Sequence, residues 1–599
     1  MANSGPMPKT PRLHLLPVPR YLKPGTGFFP LPRHRPLSVI QVVRTPAAPA
    51  QPEGYTLTID RAGVRMEFRE PGGLRAATAT LRQLLRAHGR RLPCLRIRDW
   101  PDFARRGVML DISRGRVPTL ATLLDLVEHL ADFKINELQL YTEHTFAYRK
   151  YPQVWRSWGA LTAAEIKVLD ARCRALGIDL VPNQNSFGHL RHFLADPGLK
   201  KLAEISRPYP DASGEFVRRP TTLAPNHPGT RPFLRGLYDE LLPNFSSSFF
   251  NIGADETWDL GRGQSQASCA RRGQGRVYLD FLKQVHREVS RHGKQMMFWG
   301  DIILKYPALI RQLPQGVIAL NWGYEARHPF ASEAARFAKA RIPFYVCPGT
   351  STWQTLIGRH DNAFANLTAA ARAGKKFGAI GFLNTDWGDG GHPQPLAVSW
   401  PLFAAGAALA WNAKGFEPDI LAPVLSRDVF EDTTGRLAKA ALGLGLAHLK
   451  LGVSAPNETP LGTVIAAPEP DTRELFCRNG LKWYTRIAAQ NIKAALNEIE
   501  RQRKVLSHAQ PASAAGKLLA RELDLAARLA AESCHYLLWQ QAVASGGKAE
   551  AAQRARRGIQ ALKRLALEFE TYWPQRNKAT PKHCTPFLSW RIKEYQGRR

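Results

Sequence analysis

Residues 107–141 read GVMLDISRGRVPTLATLLDLVEHLADFKINELQLY. The stretch opens on a short apolar run, Gly107 to Ile112, passes through an amphipathic segment, Thr119 to Phe133, and closes on a second run, Glu137 to Tyr141. Runs too short for helices, separated by a segment with helical spacing, describe a strand-helix-strand unit with parallel strands. The alternation continues along the chain. Further runs lie near Asp179 to Pro182, Phe249 to Gly253, Met296 to Trp299, Val317 to Asn321, Phe344 to Cys347 and Ala379 to Asn384. Helical segments such as Val277 to His292, Ala331 to Ala340 and Ala363 to Ala373 separate them. Strands buried on both faces read as continuous apolar runs, as these mostly do, and eight such units predict an α/β fold, a (β/α)8 TIM barrel over residues 99–415.

The gap from about Asn183 to Ser248 holds Pro208, Pro210, Pro220, Pro225 and Pro228, so a long excursion above the barrel is expected there. Residues 38–98 read as an N-terminal α+β accessory domain, with strands Ser38 to Val43, Tyr55 to Asp60, Val64 to Arg69 and Cys94 to Ile97 and a helix Leu74 to His88. Residues 1–37 read as a basic, proline-rich, extended arm in which a first strand could start near Arg12 to Pro17. Past Ala413 the pattern is helical, through Thr472 to Val505, Lys517 to Val543 and Ala549 to Tyr572, which makes 416–599 a C-terminal helical domain. The final stretch from Trp573 is expected to pack back on the body.

The 599 residues carry 83 basic and 50 acidic side chains, a formal charge of +33. The excess is spread along the chain and accompanies no nucleic-acid-binding motif, so a nucleic-acid partner is not expected. Cys94, Cys173, Cys269, Cys347, Cys477, Cys534 and Cys584 are scattered and never form a CxxC pair, which argues against a disulfide framework or a zinc cage. No apolar run is long enough to span a membrane and the first residues lack the apolar core of a secretory signal, so a soluble, cytoplasmic protein is expected.

In a barrel of this kind the chemistry sits where the strands end. Strand one runs out into Asp111 and Arg114, strand two into Glu143 and His144, strand three into Asn183, Asn185 and His189. Strand four ends in Asn251-Ile-Gly-Ala-Asp255-Glu256-Thr-Trp258, strand five in Trp299 and Asp301, strand six in Asn321, Trp322 and Tyr324. Strand seven carries Tyr345, and strand eight delivers Asp386, Trp387 and Asp389. Taken singly, Asp255 could cap a helix, Arg114 could sit in a surface ion pair, and the tryptophans could be packing residues. Their recurrence at one end of successive strands favours a single mouth, and carboxylates beside indole rings suit a sugar, with its apolar ring faces and rim of hydroxyls.

The adjacency of Asp255 and Glu256 constrains the chemistry further. Ordinary retaining glycosidases hold two carboxyls about 5–5.5 Å apart on opposite sides of the bond, a geometry chain neighbours reach poorly. Side by side they suit a substrate whose own 2-acetamido oxygen attacks the anomeric carbon, with Glu256 as acid and Asp255 steadying the acetamido group. A metal-dependent hydrolase using His144, His189 and Asp301 would lack the paired-histidine strand motif such sites carry.

The segments Arg106-Gly-Val-Met-Leu-Asp-Ile-Ser-Arg114, Ser186-Phe-Gly-His189 and Gly253-Ala-Asp255-Glu256 resemble glycoside hydrolase family 20, the β-N-acetylhexosaminidases. The run Asn251 to Gly261 is most similar to the hexosaminidase D-like and bacterial branch. The Gly73 to Leu85 helix and the Asp99-Trp-Pro-Asp102 join resemble the family's accessory domain, so the likeness covers about residues 38 to 415. It implies that Asp255 orients the acetamido group and Glu256 is the acid and base. It further implies that Arg114, Glu143 and Asp389 meet sugar hydroxyls, that His189 backs the acid pair, and that Trp299, Trp322 and Trp387 wall the sugar. Tyr345 would bond the acetamide oxygen. Asn251 stands where many members have His, Ala254 where Gly is frequent, and Cys347 where some have a sugar-binding Asp. The implied activity is a retaining exo-β-N-acetylhexosaminidase acting on terminal GlcNAc or GalNAc of a carbohydrate substrate, with no metal or cofactor; a catalytically silent glycan-binding barrel is the alternative.

Overall fold

A computed structural model describes residues 13–34, 36–210, 216–217, 219–466 and 484–597. The N-terminal sheet contains β1 (Tyr21–Pro30), β2 (Ile40–Arg44), β3 (Tyr55–Asp60), β4 (Gly63–Phe68) and β5 (Arg91–Asp99), in the order β1-β5-β3-β4-β2. Helix Pro71–His88 covers one face, and its Ala77, Leu81 and Leu84 share an apolar cluster with Leu57, Ile59 and Met66. Residues 21–30, within the stretch expected to be an arm, form β1, an edge strand antiparallel to β5 with Leu22 opposite Ile97. Pro24, Gly25, Gly27 and Pro30 signal a loop locally. At an edge only one side of the strand is paired, so these prolines are tolerated, and the register breaks between Pro24 and Phe28. The strand expected near Arg12 to Pro17 is absent over its described part. Leu15 and Leu16 are buried there, and the Leu16 amide donates to Gln83 Oε1 at 2.9 Å. Arg12 itself lies outside the described residues.

The barrel strands are β6 (Arg105–Asp111), β7 (Glu137–Tyr141), β8 (Asp179–Val181), β11 (Phe249–Asn251), β12 (Gln295–Trp299), β13 (Ile318–Trp322), β14 (Phe344–Cys347) and β15 (Gly381–Asp386), with a small hairpin of β9 (Tyr209–Pro210) and β10 (Phe216–Val217) in the excursion. All neighbouring barrel strands pair in parallel, in the order β11-β12-β13-β14-β15-β6-β7-β8. A bridge between Asn183 and Asn251 closes the ring. The expected alternation is therefore present, with strand ends moved by one or two residues. Between β6 and β7 runs helix Leu120–Asp132, begun by Thr119, whose side chain accepts from the Thr122 amide. Its Leu123, Leu126, Val127 and Leu130 are fully buried, each stabilising the fold by about 1.5–3 kcal/mol relative to exposure. The proline-rich excursion also contains helix Thr230–Leu241, which buries Phe233, Leu234, Leu237 and Tyr238.

Helices Ala489–Leu506, Ala514–Ala544 and Lys548–Tyr572 form the C-terminal bundle, and the part of the expected Thr472 to Val505 helix before 484 lies outside the described residues. Glu522, fully buried, joins this bundle to the barrel. It accepts from Arg576 Nε at 2.8 Å, Tyr572 OH at 3.0 Å and the Ala397 amide at 3.2 Å. The final segment packs back as expected, through helix Phe587–Tyr595 and a stretch that touches the β6 loop. Cys94, Cys173, Cys269, Cys347, Cys534 and Cys584 are all free, and Cys477 lies outside the described residues. Among the described residues no helix is long and apolar enough to cross a membrane.

Candidate active site

Two loops meet at the mouth. The chain after β11 turns through Gly253, Ala254 and Glu256 with φ of +68°, +69° and +46°, and the loop after β8 places His189 at +57°. Left-handed backbone at non-glycine residues stores about 1–3 kcal/mol each and persists only where the surroundings enforce it. The enforcement is visible at the two glycines. A Cβ on Gly253 would fall 1.8 Å from Asn185 Oδ1, and one on Gly188 would fall 2.5 Å from the Asp255 carbonyl oxygen. The loops are thus pressed together by residues that have no side chain to keep them apart.

The contact brings His189 onto the acid pair. His189 Nε2 lies 3.2 Å from Asp255 Oδ2 and 3.4 Å from Glu256 Oε2, so adjacent residues turn their carboxylates to one imidazole. Asp255 is buried and the Glu256 side chain is 31% exposed. Burial opposes the charged imidazole, but Asp255, Glu256 and Glu143 outweigh it and hold His189 well above its ordinary value. His189 Nδ1 is 3.6 Å from Glu143 Oε1, which also accepts from Tyr141 OH at 3.2 Å and lies 3.1 Å from Arg114 Nη2. Arg114 reaches Asp111 Oδ2 at 3.2 Å and lies over the Tyr141 and Trp387 rings. Burial raises the Asp389 carboxyl to about 6 despite the pull of Arg114. Arg114, Glu143, His189, Asp255, Glu256 and Asp389 therefore belong to one electrostatic network.

Aromatic rings complete the enclosure. Trp299 and Trp387 stand 5.9 Å apart, and Trp387 meets Tyr141 edge-on at 4.6 Å. Trp322 stacks on Tyr324 at 5.2 Å, and Trp387 Nε1 donates to Tyr324 OH at 2.8 Å. Several buried polar atoms here have no protein partner, among them Asp255 Oδ1, Trp299 Nε1 and Trp322 Nε1. Buried donors and acceptors are normally satisfied, so this mixed set is suited to a ligand that offers both an acceptor and an N–H or O–H.

Tyr345 is a correction. Its hydroxyl donates to Glu137 Oε2 at 3.0 Å and accepts from Arg105 Nε at 3.2 Å, and Glu137 and Arg105 are the first residues of β7 and β6. It therefore plugs the bottom of the barrel. Gly381 opposite makes this possible, since a Cβ there would lie 2.5 Å from the Tyr345 ring. Tyr324 is the tyrosine at the mouth, visible in the sequence as the polar end of strand six.

Asp301 was likewise legible only as a strand end. Its Oδ2 accepts the Glu256 amide at 3.2 Å, and burial followed by the Asp255 charge pushes its carboxyl up to about 7. The C-terminal segment also reaches the mouth, which no local signal announced: Cys584 Sγ lies 3.5 Å from the Arg114 carbonyl, and His583 stacks on Trp158 at 3.8 Å.

The raised acid has a consequence for stability. A carboxyl held above its unfolded value contributes fully below about pH 3.9 and loses that contribution as pH rises through its folded value, here about 7. His189, also raised, contributes below about pH 6.5 and loses its part at still higher pH. Melting temperature is therefore expected to fall between about pH 5 and pH 9, and Asp301→Asn, which stays neutral, should flatten the portion near neutrality. Identical melting-temperature profiles for both proteins would remove Asp301 from the account.

Among the described residues two groups of His and carboxylate could gather about a cation: Glu143, His144 and His192, and His189, Asp255 and Glu256. The trio His144, His189 and Asp301 does not converge. In the first group His144 and His192 stack at 3.8 Å and 26°, so their in-plane lone pairs run nearly parallel rather than toward one point, and Arg114 and Arg191 are close enough to weigh against a cation. The second group is the acid pair with its histidine.

Sequence comparison agrees with this arrangement. The model of the glycosyl hydrolase family 20 catalytic domain matches residues 103–353, and that of the family's domain 2 matches residues 21–100, the latter beginning at β1. A beta-hexosaminidase of Vibrio furnissii is 30% identical over 42% of this chain and 46% of its own length. A beta-N-acetylhexosaminidase of Cellulomonas fimi is 28% identical over 53% of this chain and 62% of its own. The chain thus spans about half the length of these relatives. In fold it is similar to the chitobiase of Flavobacterium johnsoniae, with a TM-score of 0.59 at 17% identity over 97% of this chain and 99% of that one. It is also similar to a beta-N-acetylhexosaminidase from Bacteroides fragilis, with a TM-score of 0.56 at 18% identity over 69% and 95%. With both family domains matched in order and the acid pair, its histidine and the barrel in place, the chain belongs to glycosyl hydrolase family 20.

Proposed function

We propose that the protein is a retaining exo-β-N-acetylhexosaminidase that hydrolyses terminal GlcNAc or GalNAc with the help of the substrate's own acetamido group. The observation that carries this reading is the contact of His189 Nε2 with both Asp255 and Glu256, which turns two chain neighbours to one side of an indole-walled mouth. In the first step the acetamido oxygen forms a bond to the anomeric carbon while the glycosidic C–O bond breaks. The Glu256 carboxyl gives its proton to the departing oxygen, and a cyclic oxazolinium results. Asp255 accepts a hydrogen bond from the acetamido N–H and opposes the positive charge that develops; its Oδ1 is free of protein partners. In the second step water adds to the same carbon, Glu256 takes the water's proton, and the ring opens to restore the acetamide with retention of configuration. Tyr324 suits the acetamide oxygen, because its hydroxyl stands at the indole wall, where it accepts from Trp387 Nε1 at 2.8 Å. Arg114, Glu143 and Asp389 meet the outer hydroxyls in this reading.

A chromogenic panel of N-acetylglucosaminide, N-acetylgalactosaminide and the unacetylated glucosaminide tests the reading. Turnover of an acetylated substrate and none of the unacetylated one is expected. Asp255→Asn should lower kcat by about 100-fold, the loss of one preorganised electrostatic contact, with the melting temperature little changed. Equal rates on acetylated and unacetylated substrates would defeat the substrate-assisted step, and no turnover at all would leave a silent glycan-binding barrel.

A further inference from the structure

Beside the mouth lies a cleft of about 520 Å³ whose walls include Arg191, Lys200, Arg207, Arg219, Trp158 and His192. The four cations are exposed, and among the described residues none forms an ion pair and no carboxylate lines the cleft. In a protein of charge +33 this is still unusual. The cleft beside Arg86 and Arg427 contains Glu431 and Asp432, and the one beside Arg61 and Arg96 contains Asp60.

The cleft is tied to the acid pair by both ends of the excursion. Helix Arg191–Leu194 starts two residues after His189. On the return, the Thr221 amide and the Thr222 amide donate to Asp259 Oδ2 at 2.7 Å and 3.0 Å, three residues beyond Glu256, and the Leu190 amide donates to the Thr221 carbonyl at 2.9 Å. Arg191 and Arg219 therefore stand on two stapled segments that share anchors with the catalytic loops. The wall between cleft and mouth is aromatic. His192 stacks on His144 at 3.8 Å and meets Trp158 at 4.6 Å, and both histidines have ligand atoms within 4.8 Å of Glu143, the residue that holds Arg114. Burial and the charge of Arg191 keep His192 neutral, down at about 3, so it offers a ring face and not another cation.

Resting on the hexosaminidase reading of the mouth, we propose that this cleft binds an anionic group, a carboxylate or a sulfate ester, of the glycan whose terminal N-acetylhexosamine enters the neighbouring site, and that the enzyme's preferred substrates are acidic oligosaccharides. Guanidinium groups recognise carboxylate and sulfate oxygens by paired hydrogen bonds, and Trp158 supplies a face for the sugar ring that carries the anion.

The experiment compares kcat/KM on three oligosaccharides of equal length ending in N-acetylhexosamine: one neutral, one with a uronate and one O-sulfated. The neutral chromogenic substrate serves as reference. Wild type is expected to favour at least one acidic oligosaccharide by about tenfold, and Arg191→Ala/Arg219→Ala should reduce the preference to about twofold or less while leaving the chromogenic rate in place. Preference for the uronate alone or the sulfate alone names the anion. Arg61→Ala/Arg96→Ala removes the same charge elsewhere and should change nothing; an equal loss in that variant would reduce the effect to general attraction and overturn the proposal, as would equal rates on neutral and acidic oligosaccharides. Absence of chromogenic turnover is a failure of the hexosaminidase reading alone. Calorimetric titration with the same oligosaccharides then reads the cleft directly, and acidic ligands bound no more tightly than neutral ones by wild type would overturn it.

Discussion

Glu256→Gln is expected to lower kcat on an N-acetylhexosaminide with a sugar leaving group by about 100-fold or more, with KM little changed. Gln has the size of Glu and can still meet His189 Nε2, which lies 3.4 Å from Glu256 Oε2, so the left-handed turn at +46° and the fold around it should survive. What the variant loses is the proton. The glycosidic oxygen must then depart as an alkoxide, and general acid catalysis is worth about 10²–10⁴-fold for such a group. Steady-state rates with an unactivated disaccharide provide the measurement, since a nitrophenolate departs without help and would hide the effect. A loss below about tenfold would show that the proton comes from elsewhere, with Asp301, pushed up to about 7 beside the pair, as the next candidate.

Arg114→Leu should damage stability and activity together. The Arg114 side chain is 14% exposed, Asp111 is fully buried, and Glu143 is 4% exposed, so removing the guanidinium strands two carboxylates in a low-dielectric wall. Breaking a buried ion pair by deleting one partner typically destabilises by about 3–5 kcal/mol. The burial that disfavours charge on Arg114 is outweighed by Asp111 and Glu143, and the same coupling acts in reverse once the arginine is gone. Urea denaturation should show the loss as a lower midpoint at unchanged slope. Arg114→Lys separates the two roles. A lysine keeps the charge for Asp111 and Glu143 but cannot reproduce the planar fork over Tyr141, so stability should return in large part while kcat/KM stays low. Full recovery of both by lysine would mean that Arg114 acts only as a charge.

A residue's place at the mouth was legible in the sequence where its chain neighbours decide that place. Asp255 and Glu256 follow the last residue of β11 closely enough that no later packing could move them from the mouth, and the same holds for Arg114 after β6 and Trp387 after β15. The place of Tyr345 was not legible, because it turns on which layer of the barrel interior a strand residue joins. That depends on the stagger of β14 against β13 and β15, a property of the closed ring, and a local run of apolar residues carries no trace of it. β1 was missed for a related reason. Its prolines and glycines read as loop, and only the partner strand β5, some seventy positions later, makes an edge strand of them.

The order of short apolar runs and amphipathic segments determined by itself that this chain would close a parallel barrel with acids and indoles at one end, because periodicity and strand length are local properties of the chain. Three things were decided only in three dimensions. One is the convergence of His189, Asp255, Glu256 and Asp301, which depends on Gly188 and Gly253 letting two loops touch. Another is the seating of Cys584 and His583 against the Arg114 loop and Trp158 from the far end of the chain. The last is the carboxyl of Asp301 near neutrality, which follows from burial beside another charge. Each rests on distance through space and on burial among residues remote in sequence, which set electrostatic energy and steric exclusion whatever the separation along the chain.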